Sequence, residues 1–253
     1  MMNPEQLVFT SSKIDSLMYS VTLDITRHEG TLITNNSVVR EKDLKKALAI
    51  FKRTVDSGIS VSPFIMIARA GENAGKVGGQ RVEKGYVGLA TVCSITIDGV
   101  LMKRGIPIRP RFGGVVEVVK ERPLRFTEVL TYEGSTIDPL EVLMSQELTS
   151  VTDMLETGSG KILANLREAP MSTRDVIETA LDELISGGFS GVLEVGEPNT
   201  DILGVPVERD HLGIALIGGT NFMAAVQEQG IYIKTSAMSS LLDIKKMSHI
   251  DEL

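Results

Sequence analysis

Val87-Gly88-Leu89-Ala90-Thr91-Val92-Cys93-Ser94 is matched, 125 positions later, by Leu212-Gly213-Ile214-Ala215-Leu216-Ile217-Gly218-Gly219. Each stretch is an apolar run of strand length that ends at small residues and leads into a helical pattern. The likeness extends both ways without a gap. Over residues 70–109 and 195–234, ten of forty positions are identical, where average composition gives roughly two or three. Gly71-Glu72 meets Gly196-Glu197, and Gly105-Ile106-Pro107-Ile108-Arg109 meets Gly230-Ile231-Tyr232-Ile233-Lys234.

Upstream, with small gaps, Gly30-Thr31-Leu32-Ile33-Thr34-Asn35 resembles Gly160-Lys161-Ile162-Leu163-Ala164-Asn165. Each leads to an amphipathic helix, about 43–56 with Leu44, Ala47, Leu48, Phe51 and Val55 on one face, and about 173–186 with Val176, Ile177, Ala180, Leu181 and Leu184. Gly58 and Gly187-Gly188 stop them. Apolar strands follow at 64–67 and 191–195, and then Gly/Asn-rich loops. After the quoted strands come helices at about 95–103 and 221–229, capped by Gly105 and Gly230. Short strands are expected next, at 106–108 and 231–234. The fold class is therefore α/β (α+β): two internally duplicated strand–helix–strand lobes with parallel or mixed sheet pairing. Residues 1–12 read as a tail, 13–245 as one unit and 246–253 as a second tail. Within the unit the halves lie at about 30–120 and 160–245, joined by a connector over 121–159. Residues 17–27 alternate in a strand rhythm.

The core is expected to be aliphatic, because aromatic residues are only 4% and Trp is absent. A net charge of −7 and a short basic stretch (Lys103, Arg104, Arg109, Arg111) argue against direct contact with nucleic acid. A single cysteine, Cys93, excludes an intrachain disulfide and fits a reducing compartment. No apolar window is long enough to span a membrane, and the N-terminus has no signal-peptide pattern. A soluble, cytoplasmic protein is expected.

Familiar catalytic patterns fit poorly. Glu156-Thr157-Gly158-Ser159-Gly160-Lys161 and Gly71-Glu72-Asn73-Ala74-Gly75-Lys76 both miss the phosphate-loop spacing and hydroxyl. His28, His211 and His249 have neither triad nor metal-ligand spacing, so no metal or cofactor is expected. Glu72 and Glu197 occupy matched loop positions and, with Cys93, are the candidates for an enzyme acting on a small carboxylate or phosphate. The stronger signal is Gly218-Gly219-Thr220-Asn221. Two glycines free the backbone N–H groups at a helix start, where unpaired donors and the helix dipole favour an anion. Cys93, Ser94 and Thr96 hold the same place in the first half. Arg109 and Arg111, around Pro110, suit a carboxylate. The bland alternative is ordinary caps and solvated arginines.

Thr91-Val92-Cys93-Ser94-Ile95-Thr96-Ile97-Asp98-Gly99-Val100, Gly105-Ile106-Pro107-Ile108, Arg111-Phe112-Gly113-Gly114, Arg125-Phe126-Thr127-Glu128 and the stretch 214–231 resemble the regulatory domain of the NrpR family. These are nitrogen-responsive transcriptional repressors of archaea. The resemblance covers about residues 13–244. It implies an effector-binding domain that senses 2-oxoglutarate as inducer, works as a homodimer and is not an enzyme. Family members that bind DNA carry a winged helix-turn-helix ahead of this domain, and residues 1–12 are too short to hold one. DNA contact would thus come through a domain or partner outside this chain. Candidate effector contacts are Cys93, Ser94, Thr96, Arg109, Arg111, Gly218, Gly219, Thr220 and Asn221. A dimerisation-only module is the third reading.

Overall fold

A computed structural model describes residues 7–71 and 76–253. In chain order the first half contains α1 (Thr10–Ser20), β1 (Thr31–Arg40), α2 (Leu44–Asp56), β2 (Phe64–Arg69), β3 (Lys76–Val77), β4 (Gln80–Arg81), β5 (Tyr86–Val92), α3 (Ile95–Lys103) and β6 (Arg109–Val119). Then come β7 (Arg122–Thr131), α4 (Pro139–Ser145) and α5 (Val151–Thr157). The second half contains β8 (Gly160–Pro170), α6 (Arg174–Ser186), β9 (Val192–Val195), β10 (His211–Ile217), α7 (Asn221–Glu228), β11 (Ile233–Asp243) and β12 (Ser248–His249). The fold is α+β. Among the described residues, no helix is long and apolar enough to cross a membrane.

Two five-stranded sheets carry the duplication, ordered β11-β1-β5-β2-β12 and β7-β6-β8-β10-β9. The runs β1–α2–β2 and β8–α6–β9 are the expected strand–helix–strand units. Their two strands run the same way, but an antiparallel strand, β5 or β10, lies between them. All hydrogen-bonded neighbours are therefore antiparallel, not parallel or mixed. The helix crossover sets strand direction, while the quoted apolar run supplies the intervening strand.

The last strand of each half leaves its own sheet. β6, from the first half, pairs with β8, and β11, from the second, pairs with β1. The helices follow: α2 packs on α7 and α3 on α6. The two larger apolar cores consequently mix the halves, while a small third one (Ala68, Val77, Val82, Ala90) lies under the first strap. One joins Ile50, Phe51 and Leu89 to Leu163, Phe222 and Val226, with Phe51 edge-on to Phe222 at 5.2 Å. The other joins Ile33, Ile95 and Leu101 to Ile177, Leu184 and Leu212. Neither of the two larger cores is built from one half alone.

Several local expectations are corrected. Residues 17–20 belong to helix α1 rather than to a strand, because Thr10, Ile14 and Met18 recur at four-residue spacing and bury one face. The expected tail at 246–253 contributes β12, which pairs with β2. The strands expected at 106–108 and 231–234 begin at Arg109 and Ile233 and run longer. Gly88 and Gly213 explain why the quoted stretches keep a glycine inside a strand. A Cβ on Gly88 would lie 2.8 Å from Val77 and 2.9 Å from Val82, and one on Gly213 2.5 Å from Ile202 and 3.0 Å from Val207. Each glycine lets a matched strap, residues 76–82 or 201–207, lie flat on its sheet.

Asp138 caps α4 by accepting the N–H groups of Leu140 and Glu141. Burial raises its carboxyl to about 6, against the pull of those N–H groups. A pKa above the unfolded value means that the folded state holds the proton more tightly. Stability from this group is then full below about pH 4 and is lost as the pH rises through 6. Asn caps as well as Asp and never ionises. Asp138→Asn should raise stability at pH 8 by about 1–2 kcal/mol and flatten the decline between pH 4 and 7. The check is urea unfolding across that range. A parallel slope in the variant would assign the decline elsewhere.

Candidate functional site

The two turns picked out by sequence lie where the halves meet. Cys93 N–H donates to Ile33 C=O at 2.9 Å, and Gly218 N–H to the matching Leu163 C=O at 2.8 Å. Thr96 Oγ1 accepts from Ile33 N–H at 3.0 Å and donates to its C=O at 3.1 Å. Asn221 does the same for Leu163, at 2.7 and 3.0 Å. These side chains extend a sheet ladder into the helix start. Ser94 accepts from Asn165 Nδ2 at 3.0 Å, and Asn165 Oδ1 accepts from the Tyr132 hydroxyl. Thr220 is buried and its hydroxyl has no partner. Gly219 abuts Val92 and Cys93 of the other turn. Desolvation pushes the buried Cys93 thiol up to about 12, which leaves no thiolate for nucleophilic work. The seven residues form a clasp between halves, and the matching turn fills the space in front of the α7 N-terminus.

Arg109 and Arg111 lie elsewhere, on the strap-covered face of the second sheet. Arg111 pairs with the buried Glu168 and, at 2.6 Å, with Glu208. Arg109 reaches Glu208 at 3.3 Å and Glu133 at 3.5 Å. Glu208 N–H donates to Glu168 at 3.0 Å. Both arginines are thus matched by internal carboxylates.

The equivalent face of the first sheet is open. Lys234 stands opposite Val38 and Val38 opposite Gly88, just as Arg109 stands opposite Glu168 and Glu168 opposite Gly213. A cavity of about 390 Å³ lies there, under the 76–82 strap. Its charged lining is Lys13, Arg81, Lys234 and Glu83. Tyr86 and Tyr232 form a wall, with ring centroids 6.1 Å apart. Sequence reasoning did not find this cavity, although Glu83 and Glu208 are identical in the repeat and Lys234 aligns with Arg109. What was hidden is which strand lies beside which.

A buried ion pair also joins the halves. Arg167 holds Asp98 through two bonds of 2.6 and 2.8 Å, and both residues are fully buried. Burial pulls the guanidinium down and the Asp98 carboxylate more than offsets it. The enzyme candidates find no such support. Glu197 is an exposed partner of Arg174 at 2.7 Å, and Glu72 lies outside the described residues. Gly158 ends α5 in a left-handed conformation, and Gly160 starts β8 against Ser150. His28 and His249 both pack on Phe64.

The chain is a duplicated, strand-exchanged α+β unit with a cavity lined by more cations than carboxylates. Comparison with known proteins gives its family. Residues 7–249 match the family model of the NrpR regulatory domains NRD1 and 2. Global nitrogen regulator NrpRI of Methanosarcina mazei is 34% identical over 96% of this chain and 73% of its own length. Global nitrogen regulator NrpR of Methanococcus maripaludis is 28% identical over 96% of this chain, which spans 40% of that relative. A crystal structure of a nitrogen repressor-like protein from Methanococcus jannaschii superposes with a TM-score of 0.82 at 25% identity, covering 97% of this chain and all of that one. The chain belongs to the family of NrpR regulatory domains. It is a regulatory domain of a nitrogen repressor and not an enzyme.

Proposed function

We propose that this domain binds 2-oxoglutarate as inducer, forms a homodimer in the cytoplasm and reaches DNA only through a domain or partner outside this chain. Membership of the family over residues 7–249 carries the reading. The net charge of −7 supports leaving DNA contact to another domain. Strand exchange supports a sensing role, because a ligand between β1 and β11 would touch both halves at once. Binding then favours one arrangement of the halves over another, and the population shifts.

The test is thermal unfolding with and without 2-oxoglutarate, beside glutamate and succinate, with light scattering for the dimer. Ligand at a hundred times its dissociation constant should add about 2.7 kcal/mol, roughly 5–10 °C for a chain of this size. No shift at millimolar 2-oxoglutarate overturns the inducer. A monomer at micromolar protein overturns the dimer.

A further inference from the structure

The matched helices α2 and α6 present opposite charge. They are equal in length and bury equivalent positions, Ala47, Ile50, Phe51 and Thr54 in one and Ile177, Ala180, Leu181 and Leu184 in the other. Their outer faces are inverted. α2 carries four cations and one carboxylate, whereas α6 carries four carboxylates and one cation. Lys45, Lys52 and Arg53 stand where α6 has Asp175, Asp182 and Glu183. Packing against the core does not dictate these charges, since the same buried face supports both patterns.

Each outer face forms a stripe. Lys45, Ala49 and Lys52 recur at four- and three-residue spacing, and so do Asp175, Thr179 and Asp182, which puts each triplet along one side of its helix. All six are exposed. The two charges of a triplet lie about 10 Å apart along the axis, with a small residue between them. Lys52 has partners in Asp56 and Asp251, and Glu183 has one in Arg104. Lys45, Lys46, Asp175 and Asp182 make no ion pair among the described residues. Beside the α6 stripe, Val176 and Ile185 are 46% and 52% exposed, although the helical pattern places Val176 with the buried face. On α2 the stems of Lys46 and Arg53 offer apolar surface to meet them.

We propose that α2 of one copy of this domain docks on α6 of a second, head to tail, as an association additional to the homodimer. Antiparallel docking sets Lys45 against Asp182 and Lys52 against Asp175, with Ala49 and Thr179 letting the helices approach. Val176 and Ile185 are then withdrawn from water. Like faces do not meet, because α2 on α2 puts lysine against lysine and α6 on α6 puts aspartate against aspartate. A contact between two unlike faces leaves one of each free at the ends, so it extends from copy to copy instead of closing. It suits regulatory domains held side by side on neighbouring repressors.

Sedimentation velocity of the whole chain tests this, at rising protein concentration in about 50 mM and about 500 mM salt, the second of which screens exposed charges. Species larger than those in high salt should form in low salt. Lys45→Glu with Lys52→Glu, and separately Asp175→Lys with Asp182→Lys, should weaken this assembly about tenfold or more, because each sets like charges face to face. Both variants should melt close to wild type, since the changed residues are exposed. Mixing the two should restore assembly, because the acidic α6 of the first meets the basic α2 of the second. No salt-sensitive assembly of the wild-type chain overturns the proposal, whether or not the homodimer forms. Unchanged assembly in either variant, or no recovery in the mixture, overturns the pairing of α2 with α6. Loss of a salt-resistant dimer in either variant overturns the additional contact, since the two faces would then form the dimer itself.

Discussion

Asp98→Ala should cost about 3–5 kcal/mol of stability, the price of leaving a buried charge without its partner. For a chain of this size that lowers the melting temperature by roughly 6–20 °C. Arg167 is fully buried and already has one nitrogen, Nη1, without a hydrogen-bond partner. Removing Asp98 would strip Nε and Nη2 of the acceptor they share. The corresponding pair in the other core is Ser37 and Met223, so this fold tolerates uncharged side chains at these positions. Asp98→Met combined with Arg167→Met should therefore recover most of the loss. Urea unfolding of the single and double variants makes the check. Equal loss in both would mean that the ion pair itself, and not the orphaned charge, supplies the stability. Because Asp98 lies on α3 and Arg167 on β8, the single variant should also loosen the contact between halves.

Gly219→Ala is expected to destabilise the chain by about 1–3 kcal/mol, the range for overpacking a closed core. A Cβ there would lie 2.5 Å from Asn35 Nδ2, 2.9 Å from the Val92 carbonyl oxygen and 3.2 Å from Cys93 Cα. The Asn35 amide end can swing aside, but the Val92 and Cys93 backbone cannot move without shifting β5 and the matching turn. At the equivalent place Ser94 carries a Cβ and its hydroxyl oxygen accepts from Asn165 Nδ2. In the glycine version Asn35 Nδ2 has no acceptor. Unfolding midpoints of Gly219→Ala and wild type decide it, and coincidence of the two would show that the turns have slack to spare.

The clasp shows how far sequence reading of a site can go. Gly218-Gly219 ahead of a helix is a sound pattern for an anion cradle, because the same freedom that exposes N–H groups to a ligand lets another backbone approach. Sequence spacing does not distinguish the two occupants. Arg109 and Arg111 are a similar case. Their type and spacing suit a carboxylate, and they do bind carboxylates, but those of Glu168 and Glu208 on strands and loops far along the chain. Lys13 and Arg81 drew no notice, being lone cations that only the packing of α1 and the strap brings to one cavity.

By itself the sequence determined the duplication, the helices and strands of each copy, the aliphatic cores and the family. Those are written in local periodicity, in capping glycines and in order along the chain, all of which act over a few residues. Only the tertiary structure decided that β5 and β10 separate the parallel strands, that β6 and β11 change places, and that one strap covers an ion-pair cluster while the other covers a cavity. Each of these depends on which strand edges meet. Backbone hydrogen bonding is nearly indifferent to sequence, so that choice is made by the packing of the two halves together.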